Sequence, residues 1–218
     1  MVRPGERIHV IGIAGSGAAG ASLLLHRAGA VIDGCDAEAA SPYMPPLAEA
    51  GIPVIRGHDP SHVADVDRVA ISPGVRAVPG HAELAAADAA GMPVVTWQSL
   101  LGELMAAPGR IGVGVTGTHG KSTTTALLGH LLITAGLDPT VEVGAFIEAW
   151  GASVRSGGGA PFVVEADEFG DNFLNYRPAA AIVTNVEMDH PDFFADPSAV
   201  MRSFEAFVRG MAPDPVLG

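Results

Sequence analysis

Thr116-Gly117-Thr118-His119-Gly120-Lys121-Ser122-Thr123-Thr124-Thr125 follows the run Ile111-Gly112-Val113-Gly114-Val115. An apolar strand that passes through a glycine turn into a lysine, a row of hydroxyls and a helix is the layout of a phosphate-binding loop, set in an α/β sheet. Lys121 is the sole lysine of the chain, and its other permanent side-chain cations are arginines. A lysine ammonium is a compact point charge suited to phosphate oxygens. The backbone N–H groups of Gly117, Thr118, His119 and Gly120, with the helix N-terminus at Lys121, Ser122 and Thr123, complete an anion site. The Ser122 hydroxyl is in the position that binds Mg²⁺. The pattern G-x-x-x-x-G-K-[ST] asks for glycine where this chain has Val115, flanked by Gly114 and Gly117. The competing reading is a glycine-rich turn that only caps a helix.

Working outward, strands are predicted at residues 7–13, 30–33, 53–56, 67–71 and 93–96, with helices up to residue 27 and at 45–50 and 81–90. Ala106-Ala107-Pro108-Gly109 reads as a linker. Beyond it come a strand at 111–116, a helix at 121–135 and strands at 140–143, 162–165 and 180–184, with a glycine-rich turn at 156–159. Strands alternating with helices imply parallel sheets. The expected fold is α/β: a Rossmann-like parallel-sheet domain over 1–106, then a partial P-loop ATPase-type domain over 110–218 with about four strands. The first domain has its own glycine turn, Gly15-Ser16-Gly17-Ala18-Ala19-Gly20, of the form G-x-G-x-x-G. Asp33 and Asp36, near the end of the second strand, are candidates for a ribose hydroxyl. Three readings of this turn stay open: a diphosphate site for a nucleotide sugar, a dehydrogenase-like dinucleotide module, or a packing turn without ligand.

Composition excludes several classes. A net charge of −12 argues against nucleic acid and against an anionic membrane surface. Anionic substrates must then be held by local glycine loops and helix ends. Hydrophobic residues make up 48% of the chain and mean hydropathy is +0.33, enough for a substantial core. No apolar stretch is long enough to span a bilayer. Glycines between Gly12 and Gly29 interrupt the N-terminal apolar run and argue against a signal peptide. The single cysteine, Cys35, allows no internal disulfide, so a reducing cytoplasm is expected.

Two acidic clusters follow the lysine loop. Phe162-Val163-Val164 ends in Glu165-Ala166-Asp167-Glu168, and Ala180-Ala181-Ile182-Val183-Thr184 ends in Asn185-Val186-Glu187-Met188-Asp189-His190. Carboxylates at the carboxyl end of a parallel strand face the ligand crevice and can hold Mg²⁺. Each cluster alone reads as a solvated strand end; together, beside a phosphate loop, they read as a site.

These three motifs, in this order, resemble the Mur ligases of peptidoglycan synthesis. His119 in the loop, and the opening His9-Val10-Ile11-Gly12-Ile13-Ala14-Gly15-Ser16-Gly17, are similar to the branch that joins L-alanine to the carboxylate of UDP-N-acetylmuramate. Ser72-Pro73-Gly74-Val75 also fits. The resemblance implies an ATP-dependent ligase acting through an acyl phosphate. It implies Lys121 on the β/γ-phosphates, Mg²⁺ held by Ser122 and Glu165, and a second metal bound or oriented by His190. His119 is implied to contact the phosphoryl group or substrate, or else to cap the helix. Gly15, Ser16 and Gly17, with Asp36 and Ser72, are implied to receive the UDP-sugar. Alternatives are the recycling ligase that attaches an intact tripeptide to the same sugar and, in another class, a dinucleotide-binding module. Ser122 stands where threonine is more usual, and the family's carbamylated lysine is missing, as in the alanine-adding branch. The family has a longer central domain and a third domain, so this chain is expected to be a fragment that does not ligate by itself.

Overall fold

The structure is a computed structural model that describes residues 1–37, 41–213 and 216–217. The chain divides into two compact units, Met1–Leu104 with Ala145–Val154, and Met105–Gly144 with Arg155–Gly218.

In the first unit, β1 (Arg7–Ile11), β2 (Val31–Asp36), β3 (Val54–Arg56), β4 (Arg68–Ile71) and β5 (Val94–Thr96) form one sheet in the order β3-β2-β1-β4-β5. Every pairing is parallel. The chain reverses its direction of growth between β1 and β4, where an open parallel sheet leaves a ligand crevice. α1 (Ser16–Arg27) buries Ala18, Ala19, Gly20 and Ala21, small residues that allow a close approach, followed by Leu23-Leu24-Leu25. α2 (Met44–Glu49), α3 (Pro73–Arg76), α4 (Ala82–Ala89) and α5 (Trp97–Met105) complete the alternation. β2 continues to Asp36, beyond the strand expected at 30–33. The apolar pattern breaks at Gly34 for a packing reason: a Cβ there would lie 2.4 Å from the Val10 carbonyl oxygen.

The second sheet has the order β11-β10-β6-β9-β7-β8. Its strands are β6 (Ile111–Thr116), β7 (Thr140–Ile147), β8 (Ala152–Arg155), β9 (Pro161–Glu165), β10 (Ala180–Val183) and β11 (Val216–Leu217), with α6 (Lys121–Thr134) after β6. Six strands replace the four expected. β8 returns from β7 after one short 3-10 turn, too short for a parallel crossover, so it adds an edge that strand–helix alternation does not announce. β6 lies between β9 and β10, parallel to both.

α7 (Pro197–Gly210), absent from the sequence expectations, covers β6. Its N-cap Asp196 accepts the Ala199 N–H at 2.8 Å, and Val200, Ser203, Phe204 and Phe207 form its buried face. Gly114 on β6 leaves room for Phe207, whose ring tip would be 3.2 Å from a Cβ at that position. Phe207 stacks on Phe173 at 4.8 Å and 6°, with Phe204 edge-on to Phe173 at 5.3 Å. Among the described residues, no helix is long and apolar enough to cross a membrane.

Phe207→Ala is expected to destabilise the chain by about 3–5 kcal/mol, since the stacked ring has no flexible neighbour on the glycine strand to fill the void. Urea unfolding of the two proteins measures this; a loss below about 1 kcal/mol would contradict the packing described.

Candidate active site

The carboxyl ends of β6, β9 and β10 lie side by side, and the three motifs leave from them. Parallel strands in adjacent register send their following loops to one edge, so residues far apart in sequence converge there.

The loops after β6 and β10 are tied together. The Thr118 N–H donates to the Asn185 carbonyl at 3.1 Å, and the His119 N–H to Asn185 Oδ1 at 2.9 Å. Thr184 Oγ1 and Asn185 Nδ2 donate to the His119 carbonyl at 2.6 and 3.0 Å. The Thr118 hydroxyl donates to the Glu187 carbonyl at 3.2 Å and accepts the Glu187 N–H at 2.9 Å. Gly117 makes this approach possible: its φ is +131°, and a Cβ would fall 2.2 Å from Thr184 Oγ1. Gly120 ends the loop at φ +83° as the N-cap of α6, which has no side-chain cap. The first-turn N–H groups of α6, at Lys121, Ser122 and Thr123, are therefore suited to an anion.

Lys121 Nζ lies under the loop. It donates to the Gly117 carbonyl at 2.9 Å and to Glu168 Oε2 at 2.8 Å, with Asp167 Oδ1 at 3.6 Å. The Glu168 side chain is 2% exposed, so the ammonium balances a buried carboxylate. Ser122 Oγ donates to Glu165 Oε1 at 2.9 Å, and Glu165 Oε2 accepts the Gly144 N–H at 2.7 Å. The hydroxyl and carboxylate singled out as metal ligands are thus in contact. His190 belongs to a neighbouring group with Asp167 and Glu168, its Nε2 4.0 Å from Glu168 Oε1. It has a left-handed φ of +52° and packs against Phe169 at 4.8 Å between ring centroids. Glu168 Oε1 is buried without a hydrogen-bond partner. An acceptor left open beside Asp167 and His190 fits a hard divalent cation such as Mg²⁺. His119 is held by its main chain, and the residue is exposed.

Sequence reading missed three participants: Glu168 as the partner of Lys121, the Thr184–Asn185 tie, and Glu142. Glu142 on β7 is 1% exposed. Burial, reinforced by the charge of Glu165, pushes its carboxyl well above the usual glutamate value of 4.5. Its place between Val141 and Val143 in an otherwise apolar strand was the available signal, but a lone glutamate usually faces solvent.

In the first unit, the turn after β1 enters α1 through Gly15, an N-cap without side-chain hydrogen bond. Ser16 is the first helical residue, and Gly17 faces the Trp97 ring, which would meet a Cβ at 2.4 Å. Asp36 Oδ2 accepts the Ala14 N–H at 2.9 Å, and Ser72 Oγ donates to the Gly12 carbonyl at 2.9 Å. Both side chains therefore shape the glycine turn at the switch between β1 and β4. Asp33 is engaged elsewhere, at 2.6 Å from His9 Nδ1.

Fold and site define an α/β protein with an uncapped glycine-turn helix in each unit, the second a lysine phosphate loop backed by acidic strand ends. The model of the Mur ligase family, catalytic domain, matches residues 7–108, and that of the Mur ligase middle domain matches residues 115–217. The chain belongs to the Mur ligase family. It is 41% identical over 208 residues to a UDP-N-acetylmuramate–L-alanine ligase of Nocardioides sp., covering 95% of this chain and 46% of the relative. Against the protein of that name from Kineococcus radiotolerans the identity is 41% over 214 residues, covering 97% and 44%. The chain therefore spans about half the length of these relatives. A solved UDP-N-acetylmuramate:L-alanyl-γ-D-glutamyl-meso-diaminopimelate ligase from Neisseria meningitides superposes with TM-score 0.87 at 31% identity, covering 98% of this chain and 70% of that one. A UDP-N-acetylmuramate–alanine ligase from Thermotoga maritima gives 0.85 at 27%, covering 96% and 48%.

Lys121→Met is expected to destabilise the chain by about 3–5 kcal/mol, because it leaves Glu168 buried without its counterion. Lys121→Met with Glu168→Gln is expected to recover most of that loss in a double-mutant cycle of unfolding free energies; additive losses would show that the pair is not coupled. Glu142 gives a pH signature. Its folded-state affinity for a proton exceeds the unfolded one, so it opposes folding increasingly as pH rises above about 4.5, by up to about 1.4 kcal/mol per pH unit. Between pH 5 and 8, Glu142→Gln is expected to lose less stability than the parent; parallel pH–stability curves would contradict a protonated buried Glu142.

Proposed function

We propose that this chain forms the UDP-sugar- and ATP-binding part of an ATP-dependent ligase that joins L-alanine to the carboxylate of UDP-N-acetylmuramate, for peptidoglycan precursors in the cytoplasm. One observation carries the reading. Lys121, the Ser122–Glu165 contact and the Glu168–His190 pair meet at the ends of adjacent strands, in a chain 41% identical to proteins of that name.

A muramate carboxylate oxygen attacks the γ-phosphorus of ATP, the bond to ADP breaks, and an acyl phosphate forms. The L-alanine nitrogen then attacks the carbonyl carbon, loses its proton, and the tetrahedral intermediate expels phosphate. Charge accumulates on phosphoryl oxygens, so positioning and electrostatics do most of the catalysis. Lys121 exchanges its Glu168 contact for the β/γ-phosphates, while the uncapped α6 N-terminus receives their oxygens. Ser122 and Glu165 hold one Mg²⁺, and Glu168, with His190 beside it, a second. Mg²⁺, when bound, neutralises the phosphate oxygens. His119, exposed on the loop, is suited to the phosphoryl group. Gly15, Ser16 and Gly17 receive the diphosphate of UDP, with Asp36 and Ser72 fixing the turn. The family match over residues 7–108 supports this reading of the turn over a dehydrogenase-like one.

The second reading is tripeptide addition to the same sugar, the activity for which the Neisseria neighbour is named. Phosphate release from Mg-ATP by the full-length gene product, with UDP-N-acetylmuramate and each amine in turn, separates the two. Release that depends on L-alanine is expected, and Lys121→Ala is expected to lower kcat/KM by about 10²-fold or more. Release only with tripeptide would transfer the protein to recycling, and no release with any amine would overturn the ligase reading.

A further inference from the structure

The first unit contains a further cluster of chemical groups, behind the turn that follows β1, where the Cys35 carbonyl accepts the Gly12 and Ile13 N–H groups at 2.8 and 3.2 Å. His9 on β1, Cys35 on β2, His62 on the 3-10 turn Pro60–Val63 and Glu83 in the first turn of α4 converge inside the core. His9 and Glu83 side chains are fully buried, Cys35 is buried, and His62 is 14% exposed. Their ligand atoms lie within 4.8 Å of one another.

We infer that these four side chains bind a divalent transition metal, zinc by class, through His9 Nε2, Cys35 Sγ, His62 Nδ1 and a Glu83 oxygen. Mixed nitrogen, sulfur and carboxylate donors in a set of four are the chemistry of tetrahedral zinc. Bonds of about 2.0–2.3 Å in that geometry put donors about 3.3–3.7 Å apart. His9 Nε2 is 3.3 Å from Cys35 Sγ and 3.7 Å from Glu83 Oε1, and Cys35 Sγ is 3.2 Å from Glu83 Oε1. The short edge, His62 Nδ1 to Glu83 Oε1 at 2.6 Å, is a shared-proton distance that lengthens when a cation replaces the proton.

The surroundings support the same assignment. Asp33 Oδ1 lies 2.6 Å from His9 Nδ1. A carboxylate only accepts, so Nδ1 carries the hydrogen and the neutral ring turns the Nε2 lone pair into the cluster, the carboxylate–histidine–metal arrangement. On the other side, His58 Nδ1 is 3.0 Å from Glu83 Oε2 and 3.2 Å from Cys35 Sγ. His81 is the unexplained member. Its side chain is 6% exposed, both ring nitrogens are buried without a hydrogen-bond partner, and Nδ1 is 3.9 Å from Glu83 Oε2. A buried imidazole in that state is costly in a metal-free core and natural beside a cation site that can recruit it.

Without metal, the same groups form a buried ion pair. Burial opposes charge on His9, but hydrogen bonds to Asp33 and Glu83 outweigh it and raise its pKa to about 9. Burial likewise opposes charge on Glu83, yet His9, Cys35 and His62 bring it down to about 2. Cys35 is then a neutral thiol donating to Glu83. The two states differ in whether Cys35 is a thiolate on a metal, and a thiolate ligand is directly observable.

The test uses the 218-residue chain, whose one cysteine is Cys35. After chelation and desalting it is titrated with Co²⁺ and, separately, with Zn²⁺. Expected are one equivalent of tightly held metal, the intense visible bands of tetrahedral Co²⁺, a near-ultraviolet thiolate-to-cobalt charge-transfer band, and a rise in melting temperature with Zn²⁺. Cys35→Ser is expected to abolish the charge-transfer band, and His190→Ala in the other acidic site to leave it unchanged. Asp33→Asn, at a partly exposed position, is expected to keep the fold by circular dichroism and weaken Zn²⁺ about 10–100-fold. A folded parent chain that retains no metal and shows no charge-transfer band would overturn the assignment, as would a cobalt spectrum identical in Cys35→Ser.

Discussion

The Lys121–Glu168 contact governs the rest of the candidate site. A carboxylate with 2% of its side chain exposed needs a cation, and in a chain of net charge −12 one lysine meets that need. The same ammonium is the group that, in the proposed function, turns to the phosphates of a nucleotide. A phosphate that draws Lys121 away leaves Glu168 buried and negative unless another cation replaces the lysine. Glu168 Oε1, already without a partner, together with Asp167 and His190, is where that replacement fits. Under the proposed function, nucleotide and divalent cation are thus coupled through one side chain, by charge balance alone.

Geometry makes the coupling local. Parallel register brings the ends of β6, β9 and β10 to one edge, and the Thr184–Asn185 tie holds the lysine loop against the loop after β10. That tie requires the absence of a side chain at 117, just as the approach of Phe207 to β6 requires its absence at 114. Glycine in the lysine motif therefore serves loop-to-loop packing.

Much of this was legible in the sequence. β6 occupies the residues expected from the apolar run before the loop, and Ser122 and Glu165, both singled out in the sequence, are in hydrogen-bond contact. These features follow from strand–loop–helix order, which local pattern encodes. The remainder depends on tertiary proximity. β8 arises from a hairpin, and α7 has an apolar face that its polar residues dilute in a linear reading. Gly34 breaks the apolar pattern of β2 in the sequence but sits inside the ladder. Cys35, taken alone, speaks only to redox compartment. His58 and His62, four residues apart, were the local signal, while His9, Cys35 and Glu83 come from separate elements that only the fold unites.

Charge balance around Lys121 is tested most directly by titrating the chain with ATP by calorimetry, once in Mg²⁺ and once in chelator. ATP binding that requires Mg²⁺ in the parent chain, and depends on it much less in Glu168→Gln, is the expected result. Equally tight binding of ATP with and without Mg²⁺ by the parent chain would contradict it.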